Sequence, residues 1–145
     1  PMSKAERGRA KDELLEEFGL TRLADSMAYT LSGGEQRRTE IARTLAIGPS
    51  FILLDEPFAG IDPKTIRDIQ GVIGQLRERG LGIIITDHNA AETLEIADRA
   101  YLLVDGRILM QGTPEELTES ELARRYYFGD APAPRGRAAP EAEAQ

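Results

Sequence analysis

Three groups of residues have types and spacing that could do chemistry: Ser32-Gly33-Gly34-Glu35-Gln36, the pair Asp55-Glu56, and His88. The leading N–H groups of a helix lack internal partners and the helix dipole is positive there, so a helix mouth attracts anions. Glycines at such a mouth let the backbone approach a phosphate without Cβ interference, and the Ser32 hydroxyl can add a donor. Asp55 and Glu56 follow the wholly apolar run Phe51-Ile52-Leu53-Leu54. They thus stand at the carboxyl end of an expected strand, where ligands bind in open α/β sheets. Neighbouring strand residues point in different directions, so one acid can hold Mg²⁺, directly or through its waters, while the other orients and polarises a water. His88, the only histidine, follows a second apolar run at Ile83–Thr86. With the two strands as parallel neighbours, both acids and the imidazole fall at one sheet edge, where a neutral ring can contact a terminal phosphate.

Each group also has a plainer reading. Ser-x-x-Glu is the spacing of a capping box, an aspartate at a strand exit can cap the next helix, and a histidine can make a loop hydrogen bond. Their order along the chain favours chemistry. One part of a nucleotide-hydrolysing apparatus has no counterpart, however: the phosphate cradle G-x-x-x-x-G-K-[ST]. No Gly-Lys pair occurs anywhere. Either the chain is the carboxy-terminal piece of a longer protein or another chain supplies the cradle. The opening Pro1-Met2-Ser3-Lys4 holds no strand that could carry such a loop, so a fragment is expected.

The 145 residues, 41% apolar and 30% charged, have the length and balance of one soluble globular domain. A formal charge of −7 argues against a nucleic-acid surface, which needs clustered Lys and Arg. The absence of cysteine excludes disulfides and thiolate metal sites. No apolar run approaches the roughly 20 residues that cross a bilayer, and no signal peptide opens the chain, so any membrane role is expected through a partner.

The elements that must position these residues read as an alternating series. A helix is expected over 4–18, with Leu14, Leu15 and Phe18 at its apolar end and Gly19 as its stop. Leu20–Thr30 connects, with Leu23 and Met27 as anchors. The next helix begins at Ser32 and shows an apolar face of Ile41, Ala42 and Leu45. Phe51–Leu54 predicts a strand buried on both faces, as in a parallel sheet. Asp62-Pro63 caps a helix with Ile66, Ile69, Ile73 and Leu76 at helical spacing, and Gly80 closes it. Gly82–Thr86 predicts the second buried strand and a right-handed parallel crossover. A short helix follows over about Ala90–Ala97 with Asn89 as its cap. Tyr101–Val104 and Arg107–Gln111 flank the hairpin signal Asp105-Gly106, and Thr113-Pro114 opens another helix. From Asp130 the chain is Ala, Pro, Arg and Glu without periodicity, expected to be disordered.

With these residues in place, 4–129 resembles the carboxy-terminal part of an ATP-binding-cassette (ABC) ATPase. Leu31–Gln36 matches the family's signature motif, Phe51–Pro57 its Walker B strand, Ala59–Asp62 its D-loop and His88 its switch histidine. The resemblance implies an α/β fold, part of a P-loop NTPase, with parallel strands, flanking helices and part of a helical subdomain. It divides the chain into helical subdomain (1–47), catalytic-core half (48–129) and tail (130–145). It implies ATP and Mg²⁺, with Asp55 on the metal, Glu56 as general base and His88 on the terminal phosphate. Ser32, Gly33, Gly34, Glu35 and Gln36 would meet ATP held by the second subunit of a head-to-tail homodimer, with Asp62 of the D-loop alongside. The Walker A loop, the adenine-stacking aromatic and the Q-loop would lie upstream of residue 1.

Within the family, the stretches 37–43, 55–63, 85–89, 91–94 and 99–101 are most similar to the ATPases of lipopolysaccharide export. ATPases of branched-chain amino-acid import share part of that pattern. The resemblance implies permease partners and a peripheral place on the cytoplasmic face of the inner membrane, with no nucleic-acid partner and no direct membrane insertion. The chain itself, lacking a cradle, is expected to be inactive alone. A non-enzymatic truncated partner, offering only its Leu31–Gln36 face, is the alternative from another class.

Overall fold

The computed structural model describes residues 2–128. They divide into two compact units, the first ending at Asp87 and the second beginning at His88.

In the first unit, α1 (Lys4–Glu17) starts at a capping box in which Ser3 and Glu6 bond each other's backbone N–H. No residue of α1 is buried; the anchors come just after it, at Phe18 and Leu20. Met27, expected to be one, is instead 63% exposed, while Leu20 is 1% exposed. The connecting stretch coils into 3₁₀ turns at Thr21–Leu23 and Ala28–Thr30. A three-residue turn stacks positions three apart. Leu20 and Leu23 thus share a side, and Met27, capping the second turn, is left in solvent.

Helix α2 (Gly33–Leu45) buries Ile41 and Ala42. Strand β1 (Phe51–Asp55) leads through a turn to α3 (Pro63–Glu78), whose Ile66, Ile69, Ile73 and Leu76 are all buried. That 3-4-3 spacing lays one apolar stripe along the helix. Asp62 caps α3 by accepting the Lys64 and Thr65 N–H groups at 3.0 and 3.1 Å, and Pro63 costs nothing at a position whose N–H has no partner. Strand β2 (Gly82–Thr86) then pairs with β1 in parallel, Phe51 opposite Gly82 and Asp55 opposite Thr86. An Arg79–Glu17 ion pair joins the ends of α3 and α1.

The expectation of burial on both faces is corrected. Ile52 and Leu54 are buried, but Phe51 and Leu53 are 55% and 65% exposed, and Ile84 of β2 is 48% exposed. Successive strand residues point to opposite faces. Helix α3 packs on this sheet, and the side carrying Phe51, Leu53 and Ile84 stays largely exposed.

The second unit holds α4 (Ala90–Leu94), which ends earlier than expected, and Asn89 precedes it without a side-chain cap bond. β3 (Ala100–Val104) and β4 (Arg107–Gly112) form an antiparallel hairpin. Asp105 and Gly106 turn it with φ of 49° and 74°, the paired positive values of a type I′ turn. α5 (Pro114–Glu119) starts at a Thr113–Glu116 capping box, and α6 (Glu121–Ala123) runs into a π turn at Arg124–Phe128. The expected disordered tail, 130–145, lies outside the described residues.

Candidate functional site

The mouth of α2 is built as a reciprocal cap. Ser32 Oγ accepts the Glu35 N–H at 3.4 Å, while the Ser32 N–H donates to Glu35 Oε2 at 2.9 Å. The Ser32 hydroxyl donates to that same oxygen at 2.8 Å, and Arg22 Nη2 reaches Glu35 Oε1 at 3.1 Å. Ser32's N–H, then its hydroxyl, and Arg22 with a smaller share hold the Glu35 carboxyl below the usual glutamate range. Glu35 thus faces back into its own helix cap. The preceding 3₁₀ turn is tied on through Gln36 Nε2, which donates to the Ala28 carbonyl at 3.4 Å.

The glycine pair has a second reason to be there, one that composition does not disclose. Gly34 is buried, and a Cβ on it would collide with the Thr65 methyl of α3. A Cβ on Gly33 would lie 3.1 Å from the Ile61 side chain. Thr65 is itself fixed, its hydroxyl donating to Asp62 Oδ2 at 2.5 Å. That hydroxyl above all, followed by the Thr65 and Lys64 N–H groups, holds the Asp62 carboxyl below the usual aspartate range. Asp62, Thr65 and Gly34 therefore lock the start of α3 against the start of α2.

Asp55 closes β1, and its Oδ1 accepts the hydroxyl of Thr86, the residue opposite it on β2. A carboxylate offers more lone-pair sites than that bond occupies. Among the described residues no three His, Cys, Asp or Glu side chains gather as a metal site. Magnesium in nucleotide sites takes one or two carboxylates and completes its octahedron with water and phosphate oxygens. A single hard-oxygen donor anchored at a strand end fits that share.

Glu56 leaves the strand at φ 44°, the left-handed region. That conformation costs a residue with a Cβ roughly 1–2 kcal/mol. Its N–H donates to the Thr86 carbonyl at 2.7 Å, and its own carbonyl accepts the Ala59 N–H at 3.2 Å. Arg37 of α2 reaches the same carbonyl, Nη2 to O 3.0 Å. Two residues on, the Phe58 N–H donates to Asp87 Oδ2 at 3.3 Å.

The first unit therefore brings together the α2 mouth (Ser32 to Gln36), Asp55, Glu56 and Asp62. His88 opens the second unit. Arg37, Thr65, Thr86 and Asp87 are hydrogen-bond partners around these residues that no local pattern in the sequence indicates. For Thr86 the available signal was its place directly opposite Asp55 once the strands are paired in parallel. No helix among the described residues is long and apolar enough to cross a membrane.

A parallel strand pair with two acids at its carboxyl end, joined through Arg37 to a capped glycine mouth, is a candidate nucleotide site. The family model described as ABC transporter matches residues 3–59 of this chain. Among the particular proteins it is similar to are ATP-binding proteins named for lipopolysaccharide export. The lipopolysaccharide export system ATP-binding protein LptB of Acidithiobacillus ferridurans is 52% identical over 130 residues, which are 90% of this chain and 54% of that protein. LptB of Escherichia coli K12 is 50% identical over 129 residues, 89% of this chain and 54% of that protein. Among solved structures, an ATP-binding cassette of an ABC transporter in its ADP conformation superposes with a TM-score of 0.80 at 28% identity, covering 90% of this chain and 52% of that one. The cbiO1 protein of Clostridium perfringens, part of the ABC transporter complex cbiONQ, gives a TM-score of 0.75 at 30% identity over 86% and 51% of the two chains. The expected α/β fold class agrees with these neighbours. The chain spans about half the length of the curated relatives it matches.

Proposed function

We propose that this chain is the signature- and Walker-B-bearing half of an ABC transporter ATPase, and that the complete protein hydrolyses ATP to drive lipopolysaccharide export. The likeness to LptB supports the choice of substrate. One observation carries the chemistry: Asp55 anchored by the Thr86 hydroxyl at the end of the parallel pair, with Glu56 thrown out of the strand immediately after it.

In this reading Asp55 is the protein's oxygen ligand for Mg²⁺, which when bound neutralises charge on the β- and γ-phosphates. Glu56 accepts the proton of the water that attacks the terminal phosphorus, and its turn fixes where that carboxylate begins. His88 contacts the terminal phosphate and holds the water in line. Ser32, Gly33, Gly34 and Gln36 face the nucleotide of a second subunit in a head-to-tail homodimer, helped by the positive end of α2. Glu35 organises that mouth through its bonds to Ser32, and Asp62 holds the D-loop turn against it. Membrane-spanning permease subunits receive the work, with the ATPase at the cytoplasmic face of the inner membrane.

The test is Glu56→Gln in the complete protein. Removing the base while keeping the shape should lower turnover by a factor on the order of 10² or more, with nucleotide affinity retained. Wild-type turnover in that variant would remove Glu56 from its role and the reading with it.

A further inference from the structure

We propose that Arg37 is a positioning residue for Glu56, holding the backbone of the water-activating carboxylate from the helix that carries the anion-binding mouth. The inference rests on the reading of Glu56 as the base. It adds a residue beyond Leu31–Gln36 and a route by which the α2 mouth acts on that base.

The geometry is specific. A residue with a Cβ stays in the left-handed region only where its surroundings hold it there. At Glu56 the Thr86 carbonyl and the Ala59 N–H supply the bonds that a turn leaving a strand would make in any case. The Arg37 contact is of another kind: a charged donor on the Glu56 carbonyl at 3.0 Å, arriving from α2, 19 residues earlier in the chain. The guanidinium is also aimed. Its Nη1 pairs with Glu40 Oε2 at 2.8 Å, one turn further along α2, and only about a quarter (26%) of the Arg37 side chain is exposed. One planar fork thus spans Glu40 on one side and the Glu56 carbonyl on the other, which the single ammonium of a lysine cannot do with the same rigidity. Charge assistance makes such a bond about twice as strong as a neutral one.

Arg37 stands on the turn of α2 directly after Gly33 and Gly34. A shift of α2 as its mouth engages an anion is therefore carried by one braced side chain to the backbone of Glu56. The carboxylate's position depends on what occupies the mouth. In this assignment Arg37 acts through Glu56, whose carbonyl it holds.

The experiment uses the complete ATPase containing this chain, with Arg37→Met, Arg37→Lys and Glu56→Gln made separately. Steady-state turnover, the KM for ATP and a thermal unfolding midpoint are read for each. Arg37→Met keeps the length and removes both donors, so kcat should fall roughly ten- to a hundred-fold with KM unchanged within about two-fold. Arg37→Lys should recover part of that loss at the same KM. It also carries the test if the methionine variant does not fold. Wild-type kcat in both Arg37 variants, beside an inactive Glu56→Gln, overturns this inference and leaves the role of Glu56 standing. A loss confined to KM overturns it too, by moving Arg37 to nucleotide binding. Full turnover in Glu56→Gln overturns the underlying reading instead, so the two failures are separable.

Discussion

Gly34 shows how one position can answer to two demands. A bare backbone at the α2 mouth suits the approach of an anion, and that much is legible from Ser32-Gly33-Gly34. The demand visible only in three dimensions is the Thr65 methyl pressed against it. Gly34→Ala is therefore expected to destabilise the fold by about 1–3 kcal/mol through overpacking. Thr65→Ser removes the obstructing methyl while keeping the hydroxyl that Asp62 accepts, so the double variant should recover most of the loss. Denaturant midpoints of the four members of that cycle decide it; purely additive losses would show that the two positions are not in contact. Ser32, Glu35 and Asp62 were readable because a cap lies within a turn of its own helix. Arg37 and Thr65 were not, since their partners are set by how α2 and α3 pack, which no local pattern encodes.

At the scale of elements, helical spacing was the reliable guide. The Ile66, Ile69, Ile73 and Leu76 stripe emerged as the buried face of α3, and the Asp105-Gly106 hairpin turned as its residues require. The reading of β1 failed for an instructive reason. An all-apolar strand states that both faces are meant to be covered, but not that the covering is present. The alternation along β1 makes a direct test on the 145-residue chain. Leu54→Ala should cost about 2–5 kcal/mol, as deletions at buried leucines do. Leu53→Ala, at a site 65% exposed, should stay within about 0.5 kcal/mol, as surface changes do. Equal costs, measured by chemical unfolding, would mean that the two sides of the sheet are alike. Glu56 marks the other limit of element-level reasoning: a glutamate in the left-handed region is not something its residue type suggests.

For the molecule as a whole, the decisive fact is extent. The chain spans about half of the relatives it matches, and no Gly-Lys pair is present to cradle a triphosphate. Catalysis of phosphoryl transfer is positioning and charge neutralisation, and without a glycine-lysine cradle for the phosphates a chain should not achieve it. Purified by itself, the 145-residue chain is expected to release phosphate from ATP at no more than the background rate. Turnover above background that disappears in Glu56→Gln would overturn that expectation.

The order of chemistry-bearing residues, the capped helix starts and the parallel pairing of two apolar strands were all determined by the sequence alone. Each depends on neighbours a few residues away or on the strong burial preference of consecutive Ile and Leu. The tertiary structure alone decided what surrounds the acids: Thr86 on Asp55, Arg37 on the Glu56 carbonyl, Asp87 beneath Phe58, and Thr65 against Gly34. The physical reason is range. Caps and periodicity are local free energies written into adjacent residues, whereas these contacts exist only after separate elements have packed and fixed which distant side chains can reach one another.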